Sequence, residues 1–134
     1  MRVENWEKKL ADYIEENRNK KFDMPNHNCG SFTLEWEKVL TNQTRFPEFY
    51  QKFKSVEDFM KILNKYGFKN WISLCNKRLT RISTKLAKRG DLVCVRQKNS
   101  FCMGICLGQK CAFLGTQKME FVSLNEVYYA WRLD

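Results

Sequence analysis

The 134 residues include one His, two Pro and six Gly. The apolar stretches are each only a few residues long. Each shortage excludes something. One His cannot supply two ligands to a metal, and any catalytic imidazole must be His27. Few Pro and Gly leave no low-complexity stretch and no linker long enough to split the chain. Short apolar runs leave no candidate for a transmembrane helix. The opening residues Met1-Arg2-Val3-Glu4-Asn5-Trp6-Glu7 lack the apolar core of a secretory signal. No C-x-x-C pair occurs among the six Cys, and acidic residues are scarce, 15 against 24 Lys and Arg.

What is present suits a folded chain. A hydrophobic fraction of 43% with 14% aromatics argues against disorder despite the net charge of +9. The length predicts a single domain over 1–134. The positive excess concentrates at Lys77, Arg78, Arg81, Lys85, Lys88 and Arg89, with no acid among them, and such a patch invites weak binding of polyanions. Cys75, Cys94, Cys106 and Cys111 sit among apolar neighbours and are expected to act as small buried hydrophobes. Cys102 and Cys106 lie four apart in a predicted strand, about 13 Å, too far for one tetrahedral metal. Free thiols in a reducing compartment are the expectation, with no metal and no cofactor.

Periodicity divides the chain in two. Trp6, Leu10, Tyr13 and Ile14 form one helical stripe, with Asn5 as its N-cap. Phe22-Asp23-Met24-Pro25-Asn26-His27-Asn28 is a predicted loop. Cys29, Phe32, Trp36, Val39 and Leu40 form a second stripe, with Asn28 as N-cap and Cys29 as the first helical residue. Ser55 caps a third helix faced by Val56, Phe59, Met60 and Leu63 and stopped at Gly67. Trp71–Cys75 predicts one more short helix, and the basic stretch after it a connection. From Leu92 the period changes to two. Strands are predicted at Leu92–Val95, Phe101–Leu107, Cys111–Leu114, Met119–Val122 and Tyr128–Leu133, with turns at Lys98-Asn99-Ser100 and Gly108-Gln109-Lys110. Helices in a run followed by strands in a run argue α+β: a helical part over about 5–88 and an antiparallel sheet of about four to five strands over about 90–133.

Cys29 is the one thiol whose placement has chemical meaning. A helix N-terminus offers unpaired N–H groups and partial positive charge, which favour thiolate and can stabilise an oxyanion.

Several motifs around it resemble one family. Phe22-x-x-x-x-His27-Asn28-Cys29-Gly30-x-Phe32 is similar to the nucleophile region of small NlpC-like, papain-fold cysteine peptidases. Arg89-Gly90-Asp91-Leu92-Val93 resembles their R-G-D-V-V strand start, and Met103-Gly104-Ile105-Cys106-Leu107-Gly108 their V-G-I-Y-x-G strand. Ala130-Trp131-Arg132-Leu133 is similar to the ending of a phage- and prophage-encoded branch often found among tail genes. The resemblance spans about residues 5–133 and implies a papain-like fold with Cys29 at the nucleophile position. It also implies a His immediately before the V-G-I strand, where this chain has Cys102. His27, two residues before the thiol, is poorly placed to replace a base delivered from the sheet. The expected function is therefore a non-catalytic papain-fold protein acting in phage tail assembly or as a tail-tip component, with other tail proteins as partners. The host cytoplasm, and then the virion, are the expected locations. The alternatives are a cysteine hydrolase of peptidoglycan peptides or amides using Cys29, and a polyanion-binding module using the Lys77–Arg89 patch.

Overall fold

A computed structural model describes residues 1–20, 28–97 and 100–134. The predicted 22–28 loop, apart from Asn28, and Lys98 and Asn99 of the first hairpin turn lie outside the described residues. So does His27.

Four helices come first: α1 (Trp6–Asn17), α2 (Cys29–Thr41), α3 (Val56–Lys65) and α4 (Trp71–Arg78). The caps explain where they start. Asn28 Oδ1 accepts from the Ser31 N–H, and Ser31 Oγ accepts from the Asn28 N–H, both at 2.9 Å. This reciprocal box makes Cys29 the first residue of α2. Asn70 and Ser73 repeat the box at α4. At α3 the Ser55 hydroxyl accepts from the Asp58 N–H, and Gly67, at φ +83°, follows the end of the helix. Asn5 precedes α1 as expected but takes a left-handed conformation and makes no side-chain cap bond.

Six strands follow: β1 (Thr80–Ile82), β2 (Leu92–Gln97), β3 (Ser100–Cys106), β4 (Lys110–Leu114), β5 (Met119–Ser123) and β6 (Tyr129–Arg132). They form one antiparallel sheet in the order β1-β6-β2-β3-β4-β5. The expectation of four to five strands is corrected to six. β1 lies in the stretch predicted as a connection, within the part predicted as helical. Three residues are too few to show a period, and β1 exists because β6 pairs with it: Thr80 with Arg132, Arg81 with Trp131, Ile82 with Ala130. Short 3₁₀ turns at Thr84–Leu86 and Leu124–Glu126 complete the chain.

The central strands β6, β2, β3 and β4 are buried on both faces, which their alternating side chains allow. Leu92, Cys94, Met103, Ile105, Ala112, Leu114 and Trp131 join the helix residues Leu10, Ile14, Phe32, Trp36, Leu40 and Leu74 in the main core. Val93, Val95, Cys106, Cys111, Phe113 and Ala130 form a second cluster on the other face, against Val127 and Leu124. Cys75, Cys94, Cys106 and Cys111 are all buried, as their apolar neighbours predict. The α3 stripe is corrected: Val56 is 63% exposed and Met60 is also exposed, so only Leu63 of that stripe is fully buried. Val39 on α2 likewise faces outward. The helical period identifies an apolar face, but the neighbours decide how much of it is covered. No helix among the described residues is long and apolar enough to cross a membrane.

Two close contacts fix the packing here, one from α2 to the turn before β2 and one between β3 and β4. Trp36, 0% exposed, donates from Nε1 to the Gly90 carbonyl at 2.9 Å. Gly104 lets β4 come close to β3: a Cβ there would lie 2.4 Å from the Ala112 carbonyl oxygen and 2.5 Å from the Phe113 ring. The first of these atoms is backbone and cannot turn aside. Gly104→Ala is expected to cost about 1–3 kcal/mol, the range for overpacking a filled core. A urea midpoint equal to that of the parent chain would refute this tight approach.

Candidate functional site

The box that starts α2 also places the Cys29 sulfur. As the first helical residue, Cys29 sits beside N–H groups that have no partner inside the helix. The N–H groups of Cys29 and Gly30 point toward its sulfur. The Met103 N–H, from β3, donates to it as well. β3 can spare that donor because its pairing with β4 is confined to Ile105↔Ala112 and Cys106↔Cys111. The residue next to Met103 is Cys102, which shares a cleft with Cys29; its thiol donates to the Met103 carbonyl at 3.8 Å and acts on the Cys29 sulfur as a neighbouring proton-bearing group.

These contacts lower the Cys29 pKa from an ordinary 9.0 to about 6. The Cys102 thiol contributes most, and the three N–H donors add to it against the opposing effect of burial. Cys102 moves the other way. Its interaction with Cys29, then burial, push its thiol well above the usual range. The pair therefore holds one negative charge, on Cys29, with Cys102 as its proton-bearing neighbour. Cys94 nearby is pushed up to about 12 by burial and by the Cys29 charge.

Two clefts open at Cys29. One, of about 280 Å³, is lined by Cys29, Cys102, Ser100, Thr116 and Glu120 among others. The other, of about 220 Å³, is almost wholly apolar, with Phe53, Phe59, Trp71 and Phe101 in its walls and Asn28 beside Cys29. Gly30 keeps that slot narrow, since a Cβ there would touch the Phe53 ring at 2.9 Å. Two buried donors on its lining, Asn28 Nδ2 and Trp71 Nε1, have no hydrogen-bond partner. Asn28 is only 2% exposed. A buried N–H without a partner costs roughly 1–3 kcal/mol, so these two donors suit an acceptor group of a bound molecule.

A family model described as a domain of unknown function (DUF6950) matches residues 1–133. The chain belongs to this family. No curated protein matches it.

The predicted site residues of this DUF6950 chain divide into three sets. Cys29 and Cys102 come together across the α2–β3 contact. His27 lies outside the described residues. The six basic residues spread over the end of α4, β1, and the segment leading into β2. Arg78 is taken up by an ion pair with Glu48 and by the Arg45 carbonyl at 3.0 Å. Arg81 stacks on Tyr129, 4.4 Å from the ring centroid, and Arg89 lies over Trp6. Lys77, Lys85 and Lys88 are exposed. Sequence reasoning assigned Asn28 as a cap and missed its free amide nitrogen. It also missed Trp71 Nε1 and the Met103 N–H. No local pattern reports them, because each is defined by what stands opposite it in space.

Chemically, the site has a stabilised thiolate and donors for an oxyanion. A thiol that already carries its proton cannot take another from an attacking water, so Cys102 does not supply the general base that an imidazole does. Among the described groups lining the Cys102 side, Ser100, Thr116 and Gln97 are equally poor bases at neutral pH, and Glu120 is an exposed carboxylate at the rim.

Proposed function

We propose that this chain is a papain-fold protein that has kept the nucleophile position and given up hydrolytic turnover, and that it serves phage tail assembly through its surface and cleft. One observation carries the first part: the group facing the Cys29 sulfur from β3 is the protonated thiol of Cys102. A thiol-bearing helix N-terminus packed on an antiparallel sheet supports the papain-like reading. The tail role draws on the Ala130-Trp131-Arg132-Leu133 ending and the order of the other motifs. Partners would be other tail or assembly proteins, met in the host cytoplasm and carried into the virion.

The test is a burst experiment with an activated ester such as p-nitrophenyl acetate. Cys29 is expected to acylate once per chain and then stop, because no base activates water for deacylation. Loss of general-base help is worth roughly 10²–10⁴-fold. Steady turnover above background that disappears in Cys29→Ala would overturn the reading. In particle assembly, Cys29→Ala is expected to leave the yield of complete tails unchanged.

A further inference from the structure

Cys29 and Cys102 are the two partly exposed cysteines, and the other four are buried. They line one cleft of about 280 Å³ and come from different elements, α2 and β3, so no local sequence constraint holds them side by side. We propose that Cys29 and Cys102 form a thiol–disulfide exchange centre that accepts low-molecular-weight disulfides in this cleft. The proposal concerns the sulfur pair alone and holds whether or not the chain assembles into a tail.

The two cysteines have distinct roles. Cys29 attacks: its sulfur is the ionised one, held by the N–H groups of Cys29, Gly30 and Met103. Its thiolate forms a bond to one sulfur of the disulfide RSSR, and the other sulfur leaves as a thiolate. The product is a mixed disulfide on Cys29. Forming it removes the negative charge that kept Cys102 protonated. Cys102 now loses its proton to the departing thiolate. Its own thiolate then attacks the Cys29 sulfur and expels the second R-thiolate, which takes a proton from water. The protein ends as a Cys29–Cys102 disulfide and the small disulfide as two thiols. Two electrons have passed from the protein to the small molecule, and no further reactant is needed.

A competing pair exists. Cys106 and Cys111 face each other across the β3–β4 hairpin, and Cys106 is lowered to about 7 by its contact with Cys111. Both are buried at 0% exposure in the second core cluster. Exchange needs a path for the incoming disulfide as well as a thiolate; the first pair lies on a cleft, whereas Cys106 and Cys111 have no exposed surface.

The experiment treats the reduced full chain with oxidised glutathione at neutral pH and follows it by intact mass and peptide mapping. The parent chain is expected to lose two hydrogens, with the bridge mapped to Cys29 and Cys102 and no lasting glutathione adduct. In Cys102→Ser the adduct should accumulate on Cys29 to about one per chain, because the resolving thiol is gone. Cys102→Ala provides a second variant with the same expectation, and thermal melts of both establish that they fold. In Cys29→Ser neither bridge nor adduct should form at position 102. The proposal is overturned if the parent chain stops at a stable adduct on Cys29 or stays fully reduced. It is also overturned if the bridge maps to Cys106 and Cys111, or if Cys29→Ser oxidises as the parent does.

Discussion

Asp91→Ala is expected to destabilise the protein by about 3–5 kcal/mol, the cost of removing one partner from a buried charge cluster. Asp91 is 0% exposed, and its two oxygens are fully used. Oδ1 accepts from Arg2 Nη2 at 2.9 Å and from the Leu133 N–H at 3.1 Å. Oδ2 accepts from the Lys88 N–H at 2.9 Å and lies 3.2 Å from Arg132 Nε. One carboxylate thus ties the start of the chain, the turn before β2 and the end of β6 together. Arg2 extends the clamp by donating to the Leu133 and Arg89 carbonyls at 2.9 and 2.8 Å. Burial lowers the Arg2 pKa and Asp91 opposes that effect, so without the carboxylate the guanidinium would be desolvated and uncompensated. Against a typical total of about 5–15 kcal/mol, the loss removes a third or more of the stability of many domains. Denaturant titration should show a lower midpoint at an unchanged slope. Asp91→Asn keeps the shape and some acceptors and should fall between the two. A midpoint shift for Asp91→Ala worth less than about 1 kcal/mol would mean that water replaces the carboxylate without penalty, contrary to its burial.

The second large effect is on reactivity. Alkylation of Cys29 by iodoacetamide should follow a titration with its midpoint near pH 6 rather than 9.0. A lower pKa raises the thiolate fraction but weakens the nucleophile. With the usual Brønsted slope the net gain over an ordinary thiol of equal access is only about fourfold at pH 7 and roughly thirtyfold at about pH 5.5. The acid side is therefore where the measurement discriminates. Cys102→Ala removes the largest stabilising contact and should move the midpoint upward. A midpoint near 9 in the parent chain would show that the N–H groups and the Cys102 thiol do not converge on the sulfur. Stability should follow the same groups. Cys29 is ionised in the folded state from about pH 6, but in the unfolded state only near 9.0, so stability rises as pH increases between those values and is lost as pH falls through about 6. Cys102 acts in the opposite sense: above about 9 the unfolded chain can ionise it and the folded chain cannot, so stability declines again.

Much of the architecture is written locally. Asn28 and Ser55 mark helix starts because a side-chain oxygen reaches an N–H two or three residues on, wherever the helix goes afterwards. The change from period 3.6 to period 2 after Gly90 separates helices from sheet for the same reason: each period is a property of neighbouring residues. β1 escapes this reading because three residues carry no period, and its strand conformation comes from the register imposed by β6. Val56 and Met60 escape it in the other direction, since periodicity marks an apolar face without showing whether anything packs against it. Asp91 sits in a motif that resembles a strand start, and nothing local says that it is buried among residues 2, 88, 132 and 133.

The single His, at position 27, is legible in the sequence, and it means that none of the predicted strands carries an imidazole. The composition and spacing also determine that Cys29 heads a helix and that Cys102 lies on a strand. What only the tertiary structure decides is that these two sulfurs meet, that one of them carries the charge, and that both open onto a cleft. A helix cap is settled within three residues. The partner of a thiol depends on how a helix docks on a sheet, and that docking is set by Trp36 on Gly90 and by the core residues α2 shares with the sheet.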